Sequence, residues 1–115
     1  MTNFKKKYNL KLRKEESEKI IHKYNDRVPV IVEKHNSCEY DDLQKSKFLA
    51  PKNLTLGQFI YIIRKNIKLR PEKAIFVTIN GILPATSALM VDLYENNKEE
   101  DNFLYIVYSS ENTFG

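Results

Sequence analysis

Between positions 10 and 24, Leu10, Arg13, Ser17, Ile20, Ile21 and Tyr24 fall at roughly helical spacing. The segment is mostly polar, so the spacing predicts a surface helix with a narrow apolar stripe. A shorter helical turn over residues 3–8 is expected before it. The period then changes. Arg27-Val-Pro-Val-Ile-Val-Glu33 is β-branched and bounded by Asn25-Asp26 and His35-Asn36-Ser37, which predicts a strand. Pro29 has no amide to donate, so it should sit near the strand's start or on an unpaired side. Residues 35–46 are polar and read as a loop.

Lys47-Phe-Leu-Ala-Pro51 reads as a short second strand. Thr55-Leu-Gly-Gln58 has the capping-box pattern, in which the hydroxyl accepts from the Gln58 amide and the glutamine side chain reaches back. Behind it, Leu56, Phe59, Ile60, Ile63 and Ile67 follow the core-facing helical series, which Arg70-Pro71 is expected to end. Asn80-Gly81, between Ala74–Ile79 and Ile82-Leu83, predicts a hairpin, because both turn positions need positive φ. Ser87–Tyr94 reads as a short helix, residues 99–101 as an acidic loop, and Phe103–Tyr108 as an apolar strand buried on both faces at the sheet's centre. A helix crossing from a first hairpin to later strands is the β-grasp order. The fold class is therefore α+β, a mixed four- to five-stranded sheet with two additional N-terminal helices. One domain over residues 1–115 is expected: a helical extension (1–24), the β-grasp core (25–108) and a flexible tail (109–115).

Composition narrows the reading. A chain of 115 residues, 42% hydrophobic, with seven Tyr and six Phe, suits one folded domain with a modest core. The single cysteine, Cys38, excludes an internal disulfide and fits a reducing compartment. A basic N-terminus with no apolar stretch behind it is not a secretory signal. The uncharged run 74–91 contains Asn80-Gly81, Pro84, Thr86 and Ser87, so it is not a membrane span. A small soluble intracellular domain is expected.

The net charge of +4 is uneven: residues 1–23 carry eight Lys/Arg against three Glu, and residues 92–115 carry six acids against Lys98. Such a distribution fits either two solvated faces or a basic arm for an acidic partner such as a tubulin tail, a nucleic acid or anionic lipid. The acidic C-terminal third argues against a nucleic-acid cradle, and no nucleic-acid partner is expected.

Catalytic and metal chemistry find little support. His35 and Cys38 lie three apart, but one Cys and two His reach four zinc ligands only by recruiting carboxylates. A Cys–His nucleophile pair would need an orienting group and an oxyanion hole, which this polar loop does not supply. A surface or half-buried thiol is expected. Residues 99–101 lack the alternating-oxygen loop of a Ca²⁺ site, and Gly57, Gly81 and Gly115 form no phosphate loop. No enzyme activity, cofactor or metal is expected.

Several segments carry a family resemblance: Tyr24-Asn-Asp-Arg-Val-Pro-Val-Ile-Val-Glu-Lys34, Lys47–Pro51, Leu54-Thr-Leu-Gly-Gln-Phe59, Ile63-Arg64-Lys65, Phe103–Tyr108 and Phe114-Gly115. Together the chain resembles the autophagy-related ubiquitin-like modifiers, nearest their GABARAP branch, over nearly its whole length. The resemblance implies a ubiquitin-like core and conjugation through Gly115, with Phe114 as part of the C-terminal recognition element, to phosphatidylethanolamine on autophagic membranes. It implies E1-like and E2-like conjugating enzymes, and a processing and deconjugating cysteine protease that in this family usually removes residues beyond the glycine. It also implies cargo receptors and adaptors as partners, a monomer in solution, and a location in the cytoplasm or on autophagosome and other vesicle membranes. An unconjugated adaptor that links cytoskeleton, including tubulin, or vesicles through the basic helices is the alternative.

In such proteins an aromatic-x-x-aliphatic peptide adds as a strand at a sheet edge. The positions matching the aromatic pocket are Glu16, Ile20, Pro29, Ile31, Lys47, Leu49 and Phe103. Those matching the aliphatic pocket are Phe48, Ala50, Pro51, Leu54, Phe59 and Ile62. Arg27, Lys45 and Lys47 would attract flanking acids, and Arg64 matches a basic position beside the groove. Phe48 is expected to be an exposed aromatic awaiting a partner, while Ile31 and Phe59 also suit an ordinary core. Four departures stand out. Ala50 replaces a larger aliphatic and should enlarge the second pocket. Asn66 stands where Arg is common, removing an anion contact. Asn9-Leu10 replaces a Pro-Phe pair in the N-terminal helices. Phe76-Val-Thr78 replaces an all-aromatic run, which removes the basis for assuming the family's second docking surface.

Overall fold

Two helices, α1 (Asn3–Lys7) and α2 (Leu10–Lys23), precede β1 (Arg27–Lys34) and β2 (Lys47–Pro51). Then follow α3 (Leu56–Asn66), β3 (Phe76–Thr78), α4 (Met90–Asn97) and β4 (Leu104–Ser109). The computed structural model describes residues 3–111. Four strands form one mixed sheet in the order β2-β1-β4-β3, with β1 parallel to β4 and antiparallel to β2. This is the ubiquitin-like β-grasp arrangement, and β4 lies inside the sheet, as its apolar run predicts.

Strand alternation divides the core between two faces. Val28, Val30 and Val32 of β1, with Leu104, Ile106 and Tyr108 of β4, pack in the larger cluster with Leu56, Phe59 and Ile63 of α3. On the opposite face Ile31 and Tyr105 meet Ile20 of α2 and Phe103, with Phe4, Tyr24 and Leu49 alongside. Pro29 precedes the first β1–β4 pair, Val30↔Leu104, near the strand's start as expected.

The helix ends follow local chemistry. Asn9 caps α2, its side chain accepting from the Leu12 amide at 2.9 Å, so this departure supplies its own cap. Both halves of the Thr55–Gln58 capping box are present. α3 stops ahead of Arg70-Pro71. The Leu69 amide bonds the Arg64 carbonyl and the Lys68 amide bonds the Lys65 carbonyl, a Schellman closure with Lys68 at φ 53.

The structure corrects several sequence expectations. α4 begins at Met90 rather than Ser87, because residues 85–88 form a turn and Leu89 provides no side-chain cap. Asn80 (φ 53) and Gly81 (φ 77) do form the turn, but only an isolated Ile79↔Ile82 bridge follows, so the described sheet has four strands. Ser109 is a buried member of β4 rather than the start of a tail. Cys38 is buried in the larger core instead of being a surface or half-buried thiol, and its amide bonds the His35 carbonyl. Among the described residues, no helix is long and apolar enough to cross a membrane.

Candidate functional site

β2 is an edge strand, and its hydrogen-bond parity determines what that edge offers. The Val32 amide donates to the Ser46 carbonyl, and the Lys52 amide to the Asp26 carbonyl. In the antiparallel register, Val30↔Phe48 and Val28↔Ala50 are therefore the hydrogen-bonded pairs. Ile31↔Lys47, Pro29↔Leu49 and Arg27↔Pro51 lie between them, so the backbone groups of Lys47, Leu49 and Pro51 point outward from the sheet. The missing amide of Pro29 falls where β2 needs no donor.

A groove of about 820 Å³ runs along this edge and reaches both faces of the sheet. On the α2 side it is lined by Glu16, Ile20 and Leu49, and on the α3 side by Leu54, Phe59 and Ile62. Phe48, Ala50 and Pro51 form the strand between. Side chains three apart on an added strand point to opposite faces, and this groove provides a hollow on each. Ala50 is nearly solvent-free, and its small side chain leaves room on the α3 side.

The lining is basic: Arg27, Lys45 and Lys47 are joined by Lys19 and Lys23, against the single acid Glu16. Lys47 Nζ donates to Glu16 Oε1 at 2.5 Å, tying β2 to α2 across the groove. This bond holds the Glu16 carboxyl below its ordinary pKa. Lys45 Nζ lies 5.6 Å from the Phe48 ring centroid. Arg27 Nη1 donates to the Leu49 carbonyl at 3.0 Å.

The α2 wall is anchored by a buried polar cluster. Asp101 Oδ2 receives Arg13 Nη1 at 2.6 Å and the Tyr105 hydroxyl at 2.5 Å, while Oδ1 takes the Phe103 amide at 2.9 Å. Ser17 Oγ donates to the Asp101 carbonyl at 2.6 Å. Burial, then the bond to Asp101, raises the Tyr105 pKa and keeps the phenol neutral. α1 is held separately: the Phe4 ring packs edge-on to Phe103 at 5.2 Å, its amide donates to Glu33, and Lys5 pairs with Glu99.

Most of the residues anticipated from the resemblance meet in this groove, with four exceptions. Pro29, Ile31 and Phe103 do not line it; they are buried, and Ile31 and Phe103 sit in the small cluster behind Leu49. Arg64 is also outside the lining, its guanidinium donating to the Arg70 and Pro71 carbonyls at 2.9 and 3.2 Å. Phe48 is not exposed: 8% of it meets solvent, and its ring packs edge-on to Phe59 at 5.6 Å. Lys19, Lys23 and Tyr24 also line the groove without having been anticipated. The four-residue spacing of the two lysines, leading to Tyr24, was the available signal. Phe114 and Gly115 lie outside the described residues.

Comparison with known proteins agrees with this fold. The model of the family described as "Autophagy protein Atg8 ubiquitin like" matches residues 12–115. The chain is 54% identical over 114 residues to Autophagy-related protein 8A of Oryza sativa, covering 99% of this chain and 96% of that protein. Autophagy-related protein 8 of Cochliobolus heterostrophus matches to the same extent. Among solved structures, Trypanosoma brucei ATG8 superposes with a TM-score of 0.91 at 37% identity, covering 95% of this chain and 94% of that one. Plasmodium falciparum Atg8, solved in complex with a Plasmodium falciparum Atg3 peptide, gives 0.88 at 38% identity, covering 96% and 98%. The chain belongs to the Atg8 family of ubiquitin-like autophagy proteins.

Proposed function

We propose that this protein is a membrane-conjugated tag of autophagy that captures cargo receptors and adaptors on its β2 edge. The observation that carries the docking half is the outward backbone of Lys47 and Leu49, flanked by an apolar hollow on each sheet face. An extended peptide adds its main chain to that edge. Its aromatic residue enters beside Glu16, Ile20, Lys47 and Leu49. Its aliphatic residue enters beside Ala50, Leu54, Phe59 and Ile62. Lysines around the groove steer acidic flanks toward it.

The conjugation half rests on family membership extending through Gly115 and on the Atg3 peptide bound by the Plasmodium falciparum relative. Glycine carries no Cβ, so the Gly115 carboxylate is unhindered. An E1-like enzyme adenylates it with ATP, releasing pyrophosphate, and its cysteine displaces AMP to give a thioester. The acyl group passes to an E2-like cysteine and then to the amine of phosphatidylethanolamine, forming an amide and freeing the thiol. A cysteine protease processes precursors and reverses the linkage. The chain is the substrate of this chemistry rather than its catalyst. It is a monomer in the cytoplasm before conjugation and resides on autophagosome or vesicle membranes afterwards.

Incubation with the family's activating and conjugating enzymes, ATP and liposomes containing phosphatidylethanolamine tests the attachment. The wild-type chain should gain a mobility shift and Gly115→Ala should not; an equal shift in the variant would overturn Gly115 as the point of attachment. For docking, half-buried Leu49 is the better probe, since truncating buried Phe48 also removes core packing. Leu49→Ala should weaken an aromatic-x-x-aliphatic peptide at least tenfold by calorimetry, about 1.4 kcal/mol. Unchanged affinity would move the site elsewhere.

A further inference from the structure

The acidic run at residues 99–101 divides between surface and interior: Glu100 is exposed, Glu99 pairs with Lys5, and Asp101 is buried. The turn that buries Asp101 is held by its own backbone, the Asn102 amide on the Glu99 carbonyl and the Glu99 amide on the Phe103 carbonyl. Asp101 then meets α2 twice, through its carboxylate at Arg13 and its main-chain carbonyl at Ser17. The Ser17 hydroxyl has one hydrogen and two acceptors within reach, Asp101 at 2.6 Å and the Lys14 carbonyl of its own helix at 3.0 Å. The shorter contact goes to Asp101. Neither Ser17 nor Asp101 lines the groove, yet Ser17 adjoins Glu16 and lies three residues before Ile20, which do.

We propose that Ser17 and Asp101 are positioning residues for the α2-side hollow: out of reach of any ligand, their contact sets where α2 stands against β2 and so how well a ligand's aromatic residue fits. This deepens the docking reading above and rests on it. Ser17 and Ile20 are the only side chains that α2 buries, so the helix has one polar and one apolar point of attachment. Apolar contact at Ile20 is non-directional and tolerates sliding. A hydrogen bond to the Asp101 carbonyl fixes both distance and direction. The Lys47–Glu16 ion pair also spans α2 and β2, but both side chains are over a third exposed, so it constrains the gap less. On the other face, Leu54, Phe59 and Ile62 pack against the larger core and owe nothing to this cluster. A ligand's two anchors should therefore feel the Ser17–Asp101 contact unequally.

Three peptides test this: an aromatic-x-x-aliphatic core, the same core with Ala for the aromatic, and the same core with Ala for the aliphatic. Their affinities are measured by nuclear magnetic resonance titration of the full chain and of Ser17→Ala. The variant loses one hydroxyl and keeps Arg13, Asp101 and every groove residue. It should bind the parent and the aliphatic-truncated peptide about threefold more weakly than wild type does, the range expected for one net hydrogen bond. Its affinity for the aromatic-truncated peptide should be unchanged. Such selective coupling is what a double-mutant cycle isolates, whereas a variant that is merely less stable loses the same factor for all three. An equal loss for every peptide, or no loss for any, overturns the positioning role. If wild type binds the aromatic-truncated peptide as tightly as the parent, the docking reading fails first and this inference falls with it.

Discussion

α3 and α2, which pack on opposite faces of the sheet, hold it by different means. α3 buries Leu56, Phe59 and Ile63 against the valines of β1 and the apolar side chains of β4, so its attachment is hydrophobic and continuous. α2 buries only Ser17 and Ile20, and its attachment depends on Arg13 and Ser17 bonding to Asp101. The contrast shows how the β-grasp core carries its extension: apolar packing builds one face, while a compact ionic cluster sets the position of the added helix on the other. The groove lies between a firmly packed wall and one held at a few polar points. Altering the second wall can tune the groove with less disturbance to the core.

The largest effect should come from the α3 side. Ile63 is fully buried, and Ile63→Ala should cost about 2–5 kcal/mol in urea unfolding, by lost transfer energy and the cavity left behind. Next comes the ionic wall. Arg13→Met leaves the Asp101 carboxylate uncompensated in a site where its side chain has no solvent exposure, and should cost about 3 kcal/mol. If Arg13→Met unfolds no more easily than wild type, the ionic attachment of α2 is wrong. A gentler probe is alkaline pH. Burial raises Tyr94 and Tyr108 to about 12 and raises Tyr105 as well, so the folded chain favours the neutral phenols. Their contribution is complete below the unfolded value of 10.0 and is lost as pH rises through the folded values. Stability measured between pH 9 and 11 should fall, and Tyr105→Phe should make that fall shallower by removing the α2-side share. An equal slope in the variant would take Tyr105 out of the account.

Local signals made the α3 side legible in the sequence. The capping box, the apolar series from Leu56 to Ile67 and the Asn80-Gly81 turn each concern residues within a few positions of one another, and each appears where the pattern placed it. The ionic wall had no such signature. Arg13 and Asp101 are 88 positions apart, and nothing in either neighbourhood marks the pairing. The contact of Arg27 with the Leu49 carbonyl was hidden for the same reason, since it depends on strand register rather than residue type. Phe48 was misplaced because Lys47–Pro51 lacks polar alternation, so the sequence does not say which face each residue takes. The start of α4 was missed because Leu89 supplies no capping side chain to announce it.

Amide hydrogen exchange, measured with and without an aromatic-x-x-aliphatic peptide, tests the β2 edge as the docking surface most directly. Lys47 and Leu49 amides face outward and should slow at least tenfold on binding, while those of Phe48 and Ala50, already bonded to β1, should change little. Protection confined to β3, or a uniform change along β2 without this alternation, would contradict strand addition at that edge.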